Sequence, residues 1–128
     1  SRVEDALKIT GMDIYRGENP MNLPLSVRKF VTIAAVISMG TEILIFDDSF
    51  SALDYKTDKE LRRRLSTDLK GTTCVIVAQR IGTIRHADKI IVLDDGKMAG
   101  IGTHEELMKN CEVYQEIALS QLSKAELA

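Results

Sequence analysis

The chain has 128 residues, 45% of them hydrophobic and 28% charged, and a formal net charge of −2 at pH 7. This length allows one modest hydrophobic core, and the balance of charge and hydropathy argues against a disordered chain and against a nucleic-acid-binding domain. No apolar run approaches the roughly 20 residues that span a bilayer, and the two cysteines, Cys74 and Cys111, lack metal-ligand spacing, so we expect a cytosolic protein with buried, reduced thiols.

Capping patterns predict two helices in the first part of the chain. A capping box that begins at Ser1 predicts a helix over about 2–10. Ser26 is predicted to cap a second helix that ends near Met39. Because this second helix is apolar on nearly every side, we expect it to be mostly buried.

Two apolar runs predict strands that are buried on both faces. The first, at 42–46, is followed by Asp47 and Asp48, and the second, at 72–78, leads into Gln79. Continuous apolar runs of this length are typical of parallel strands that are covered on both sides. Ligands bind at the carboxyl ends of such strands, so we expect the chemistry at the end of the first run.

Turn and capping signals complete the predicted architecture. A capping box at 57–60 begins a helix between the two strands, and Asp95-Gly96 joins two further strands in a hairpin. Another capping box at 103–106 begins a C-terminal helical region. Strands that alternate with helices imply an α/β fold with a mostly parallel sheet, flanking helices and a C-terminal β-hairpin.

We expect one domain over the whole chain. It divides into a helical segment over about 1–40 and a second segment over about 41–128. The chemistry is expected in the second segment, where the acids follow the first strand.

The run at 43–54 reads ILIFDDSFSALD. Its first six residues alone fit a buried strand that leads into a polar turn, but the whole run resembles the Walker B motif and D-loop of ATP-binding-cassette (ABC) ATPases. The resemblance implies that Asp47 holds Mg²⁺ through water and that Asp48 polarises the water that attacks the γ-phosphate of ATP. Ser51 and Asp54 fall in the D-loop, which implies contact with a second nucleotide-binding domain.

Further motifs follow in the same order as in that family. Residues 75–80 resemble the strand that leads to the switch position, and 87–96 and 102–107 resemble the closing strands and helix. The chain thus resembles the C-terminal half of the nucleotide-binding domain of an ABC transporter. The resemblance puts Gln79 at the switch position, where the family usually has a histidine that contacts the γ-phosphate.

Two departures from the family predict weak hydrolysis. Asp48 stands where the family has glutamate, and its shorter side chain places the carboxylate on the order of 1 Å further from the water. Gln79 can hydrogen-bond a phosphate, but it cannot carry a proton or a positive charge. Both changes resemble the degenerate site of heterodimeric ABC exporters, which holds ATP without hydrolysing it efficiently.

The signature segment also departs from the family. An ungapped comparison puts residues 23–27, LPLSV, where the family has its phosphate-gripping loop, so Ser26 would contact nucleotide while Pro24 removes an amide donor. Residues 19–39 resemble importer-type ATPases, whereas the chain from Glu42 resembles exporters. A recombined or engineered chain is therefore one interpretation.

No G-x-x-x-x-G-K-[ST] loop occurs among the 128 residues, so we expect the chain alone neither to bind Mg-ATP strongly nor to hydrolyse it. Two interpretations remain. In the first, a complete form binds Mg-ATP, pairs with a second nucleotide-binding domain and drives transmembrane domains at the cytoplasmic face of a membrane. In the second, the chain is a non-catalytic folded scaffold. A truncated half would also self-associate through exposed sheet edges.

Overall fold

The computed structural model describes residues 1–47 and 53–126, without the side chains of Tyr55 and residues 122–126. The chain divides into two compact units, residues 1–77 and residues 78–128. The described strands form one parallel pair in the first unit and one antiparallel pair in the second. The predicted α/β class and the C-terminal hairpin are confirmed, and the single-domain organisation stays a prediction.

The described part of the first unit contains three α-helices, α1 (Arg2–Thr10), α2 (Leu25–Ser38) and α3 (Tyr55–Asp68). It also contains two short 3₁₀ helices, Asp13–Tyr15 and Pro20–Asn22, and two strands, β1 (Ile43–Asp47) and β2 (Thr73–Val77). The second unit contains α4 (Ile81–Ile84), β3 (Ile90–Asp94), β4 (Lys97–Gly102), α5 (His104–Asn110) and α6 (Glu112–Glu126). None of the described helices has the length and hydropathy needed to cross a bilayer.

α1 begins and ends at the predicted residues. The Ser1 hydroxyl accepts a hydrogen bond from the backbone amide of Glu4, and the Glu4 carboxylate accepts one from the chain's amino group. Gly11 follows the helix in the left-handed conformation, with φ at 70°, where glycine carries no steric penalty. The predicted capping box is thus confirmed.

α2 begins differently from the prediction. Its cap residue is Pro24, whose carbonyl accepts hydrogen bonds from the amides of Val27 and Arg28, and Ser26 lies exposed in the first turn. The restricted φ of proline suits entry into a helix, so the prediction that Ser26 caps α2 is wrong. The prediction that α2 is mostly buried is also wrong, because its buried side chains lie along one stripe, formed by Ile33, Ala34 and Ile37.

α3 begins earlier than the predicted capping box. Asp54 caps it, and its carboxylate accepts hydrogen bonds from the amide and the hydroxyl of Thr57. Glu60, the other predicted member of the box, pairs instead with Arg63 and Arg64, and these hydrogen bonds lower its pKa to about 2. Asp54, three residues before Thr57, is therefore the cap of α3 in place of the threonine.

The parallel pair of strands packs against the core with one face only, on which β1 has buried side chains and β2 has none that is fully buried. In β1, Leu44 and Phe46 lie in a core cluster with buried side chains from α1, α2 and α3. The register places Ile45 opposite Val75, so alternate residues of the two strands share the other face. Four apolar side chains on that face are 45–69% exposed, namely Ile43, Ile45, Val75 and Val77. The prediction that both strands are covered on both faces is therefore wrong.

The hairpin turn forms as predicted. Asp95 and Gly96 both have positive φ, 46° and 73°, as a two-residue turn of this kind requires. One face of the hairpin lies against the C-terminal helices so closely that a Cβ atom on Gly100 would meet Cys111 Sγ at 2.8 Å. Cys111 is buried there, as predicted, but Cys74 on β2 is exposed, so the prediction of two buried thiols is wrong for Cys74.

Candidate functional site

Asp47 lies at the carboxyl end of the parallel pair of strands. It is the last residue of β1, its side chain is exposed, and the register places it opposite Val77, the last residue of β2. Phe46, next to it, is buried in the core and anchors the strand end from the other face. The strand thus presents the Asp47 carboxylate on rigid backbone at the edge where ligands bind in parallel sheets.

A carboxylate in this position fits Mg²⁺ as a shared ligand. Proteins commonly hold Mg²⁺ through one or two carboxylates together with water and substrate phosphates. Within residues 1–47 and 53–126, no group of three or more His, Cys, Asp or Glu side chains is placed to hold a metal ion. A water-mediated site that phosphates complete needs only one or two such carboxylates from the protein.

Asp54 lies at the N-terminus of α3, where both oxygens of its carboxylate accept hydrogen bonds from Thr57. Its Oδ2 accepts the Thr57 hydroxyl hydrogen bond at 2.6 Å, and its Oδ1 accepts from the Thr57 amide at 3.0 Å. These two hydrogen bonds hold the pKa of Asp54 below its usual range. Asp54 is thus a helix cap, and its role at an interface between domains stays a prediction.

Ser26 is the remaining predicted residue of the first unit whose structure is described. Ser26 is exposed on α2, Asp47 ends β1, and Asp54 precedes α3, so the structure puts the three on different elements. Asp48 and Ser51 lie outside the described residues. The roles assigned to Ser26, Asp48 and Ser51 stay predictions.

Gln79 belongs to the second unit and is exposed. Its backbone carbonyl accepts a hydrogen bond from Gln121 Nε2 at 2.7 Å, while the amide of Ile81 donates to Gln121 Oε1, also at 2.7 Å. No local pattern in the sequence singles out Gln121, because these bonds join residues about 40 positions apart. The available signal was an amide residue at helical spacing from the apolar positions Tyr114 and Ala118.

Comparison with known proteins places these features in a family. No protein-family model matches the chain. The chain is 45% identical over 100 residues to an ABC transporter ATP-binding protein of Mycoplasma genitalium, a match that covers 78% of this chain and 16% of that protein. It is 36% identical over 116 residues to an ATP-dependent lipid A-core flippase of Hahella chejuensis, and this match covers 91% of this chain and 20% of the flippase.

A solved structure has the same fold. A bacterial Atm1-family ABC exporter with ATP bound matches the chain with a TM-score of 0.83 and 27% sequence identity, over 94% of this chain and 23% of the exporter chain. The chain spans only 16% of the length of the Mycoplasma genitalium protein and 20% of the length of the flippase. By sequence and by fold, the chain belongs to the ABC transporter ATP-binding proteins and corresponds to part of their nucleotide-binding domain.

Proposed function

We propose that this chain supplies the Walker B and switch part of a nucleotide-binding domain whose complete form binds Mg-ATP and drives transport across a membrane. The observation that carries the proposal is the exposed Asp47 carboxylate at the carboxyl end of β1, paired in register with the end of β2. Homology to ABC transporter ATP-binding proteins over 78% of the chain supports it. Partner domains would hold the assembly at the cytoplasmic face of the membrane.

Each predicted residue has a part in this proposal. Asp47 would hold Mg²⁺ through water, and the cation, when bound, would supply charge that neutralises the phosphates. Asp48 is the base that orients the attacking water, and its short side chain makes it a weak one. Gln79 donates a hydrogen bond to the γ-phosphate without adding positive charge. The site therefore binds ATP but hydrolyses it slowly.

Contacts with a second nucleotide-binding domain complete the proposed site. Ser51 and Asp54 lie in the segment that reaches the partner domain, and Ser26 contacts the partner's nucleotide. The hydrogen bonds from Thr57 to Asp54 support this proposal, because they hold that carboxylate in one orientation at the start of α3.

The proposal is tested by restoring the phosphate-binding loop. We expect the melting temperature of the chain alone to be unchanged by millimolar Mg-ATP, because the loop that grips the phosphates is not among its 128 residues. When the chain is mixed with the loop-bearing part of the Mycoplasma genitalium relative's nucleotide-binding domain, it should bind Mg-ATP. Asp47→Asn should weaken the Mg²⁺-dependent part of this binding by on the order of tenfold or more.

A second strand-end aspartate provides the matched control. Asp94 ends β3 and is exposed, as Asp47 ends β1, but the resemblance gives Asp94 no role with nucleotide. Asp94→Asn should leave Mg-ATP binding by the mixture unchanged. If both variants weaken binding equally, or if the mixture does not bind Mg-ATP at all, the proposed function is wrong and the non-catalytic scaffold is the better interpretation.

We also propose that the isolated chain self-associates through the β1–β2 pair. The exposed face of this pair carries four apolar side chains, and within the described residues no third strand pairs with either outer edge. Ile45→Lys should raise the dissociation constant of the self-associated form by at least about tenfold, as measured by sedimentation at increasing concentration. The control is Leu119→Lys, at an apolar residue of similar exposure on α6. Equal effects of the two variants would contradict this interface.

A further inference from the structure

Gln121 joins α6 to the segment that contains Gln79. Its side-chain amide donates from Nε2 to the Gln79 carbonyl and accepts at Oε1 from the amide of Ile81, both at 2.7 Å. Gln121 is part-buried, and both bonds lie within the second unit. One side chain therefore binds the backbone on both sides of Arg80.

One of the two hydrogen bonds satisfies an amide that has no acceptor within α4. Ile81 is the first residue of α4, so its amide has no acceptor within the helix. The cap residue, Arg80, makes no side-chain capping bond. Gln121 therefore caps α4 from a distant helix and, with the other half of its amide, restrains the Gln79 carbonyl. An amide side chain offers a donor and an acceptor in one plane without carrying a charge.

The position of Gln121 is set by the packing of α6. Cys111, Tyr114 and Ala118 are buried at the spacing of one helix face, and Gln121 continues that face. The Tyr114 hydroxyl lies 2.8 Å from His104 Nδ1, which ties α6 to the first turn of α5. Burial also raises the pKa of the Tyr114 hydroxyl. The helix that carries Gln121 is therefore well anchored.

We propose that Gln121 is a positioning residue for Gln79 at the phosphate site, an inference that rests on the proposed function. Gln79 is exposed and uncharged. A neutral amide is not drawn to a phosphate by net charge, so its contribution depends on being held in the correct orientation. Gln121 supplies that orientation by fixing the backbone from which the Gln79 side chain projects.

Two variants separate the two halves of the Gln121 amide. Gln121→Met removes both hydrogen bonds with little change in volume. Gln121→Glu keeps an acceptor for the Ile81 amide but cannot donate to the Gln79 carbonyl. Gln115→Met, at a part-buried glutamine on the same helix, is the matched control.

The first measurement is hydrogen exchange of the Ile81 amide in the chain by itself. We expect the Ile81 amide to exchange on the order of tenfold faster in Gln121→Met, because that variant loses about one hydrogen bond at this amide. The exchange rate should be unchanged in Gln115→Met. Gln121→Glu should restore slow exchange. Equal exchange rates in the wild type and Gln121→Met would overturn the proposal at its structural step.

The second measurement is the NMR signal of the Gln79 side-chain amide in the mixture with the loop-bearing segment, before and after Mg-ATP is added. We expect the wild type and Gln115→Met to respond, and Gln121→Met and Gln121→Glu to lose most of the response. Gln121→Glu should therefore restore the hydrogen bond to the Ile81 amide but not the contact between Gln79 and phosphate. A purely structural role of Gln121 would not separate the two effects.

The outcomes distinguish this inference from the function on which it rests. An equal Gln79 response in the wild type and Gln121→Met overturns the positioning role while the proposed function stands. No response in the wild type, although the mixture binds Mg-ATP, removes Gln79 from the phosphate site and overturns the inference with it. No Mg-ATP binding at all overturns the proposed function itself, and the positioning role with it.

Discussion

Replacing Phe46 with alanine is expected to lower the free energy of unfolding of the first unit by about 3–5 kcal/mol, because the side chain is buried in the core and the cavity would not refill. A domain of this size has a total stability of about 5–15 kcal/mol, so the loss is a large fraction of that stability. Urea denaturation monitored by circular dichroism measures the change.

The neighbouring residue provides a control on the opposite face of the same strand. Ile45 is 69% exposed, so Ile45→Ala should cost about 1 kcal/mol or less, mainly through the weaker strand propensity of alanine. Both measurements should be made at low protein concentration, where self-association is minimal. If Ile45→Ala costs as much as Phe46→Ala, then the second face of β1 is covered in solution and the one-sided core described above is wrong.

Arg62→Met is expected to destabilise the first unit by about 3 kcal/mol or more, because it leaves a buried carboxylate without its cation. Asp58 is 2% exposed, and the Arg62 guanidinium binds both of its carboxylate oxygens, with Nε to Oδ1 at 2.8 Å and Nη2 to Oδ2 at 2.7 Å. The loss should appear as a lower urea midpoint with an unchanged slope.

The next arginine along α3 is the matched control. Arg63 pairs with Glu60 on the exposed surface, so Arg63→Met should change the free energy of unfolding far less than Arg62→Met does. The double variant Asp58→Leu/Arg62→Met should recover much of the stability lost in Arg62→Met, since an apolar pair carries no desolvation penalty. Equal losses in Arg62→Met and Arg63→Met would show that the buried ion pair does not stabilise α3.

Features that depend on a few neighbouring residues were predicted well from the sequence. The capping boxes at Ser1 and Thr103 and the turn at Asp95-Gly96 all form as predicted. In each case the backbone conformation is selected by hydrogen bonds or steric freedom within four residues. The family was also readable, because its motifs at 43–54 and 75–80 are continuous in the chain.

Local reasoning was wrong where two local solutions compete. Ser26 and Thr57 both have the chemistry of a helix cap, but Pro24 and Asp54 take those positions. A capping pattern shows that a residue can cap a helix and does not show where the chain enters it, which packing of the helix also decides. The predicted starts of α2 and α3 were therefore too late.

The sequence by itself determined the order of the four described strands and of α1, α2, α3 and α5, the tight turn and the family, because these follow from local backbone chemistry and from contiguous motifs. Only the tertiary structure decided which face of β1 and β2 is buried, since an apolar run reads the same whether one face or both are covered. It alone revealed the hydrogen bonds of Gln121 to the segment around Gln79, and the burial of Asp58 beside Arg62. Burial, and bonds between residues 40 positions apart, depend on how elements pack, which no local pattern in the chain encodes.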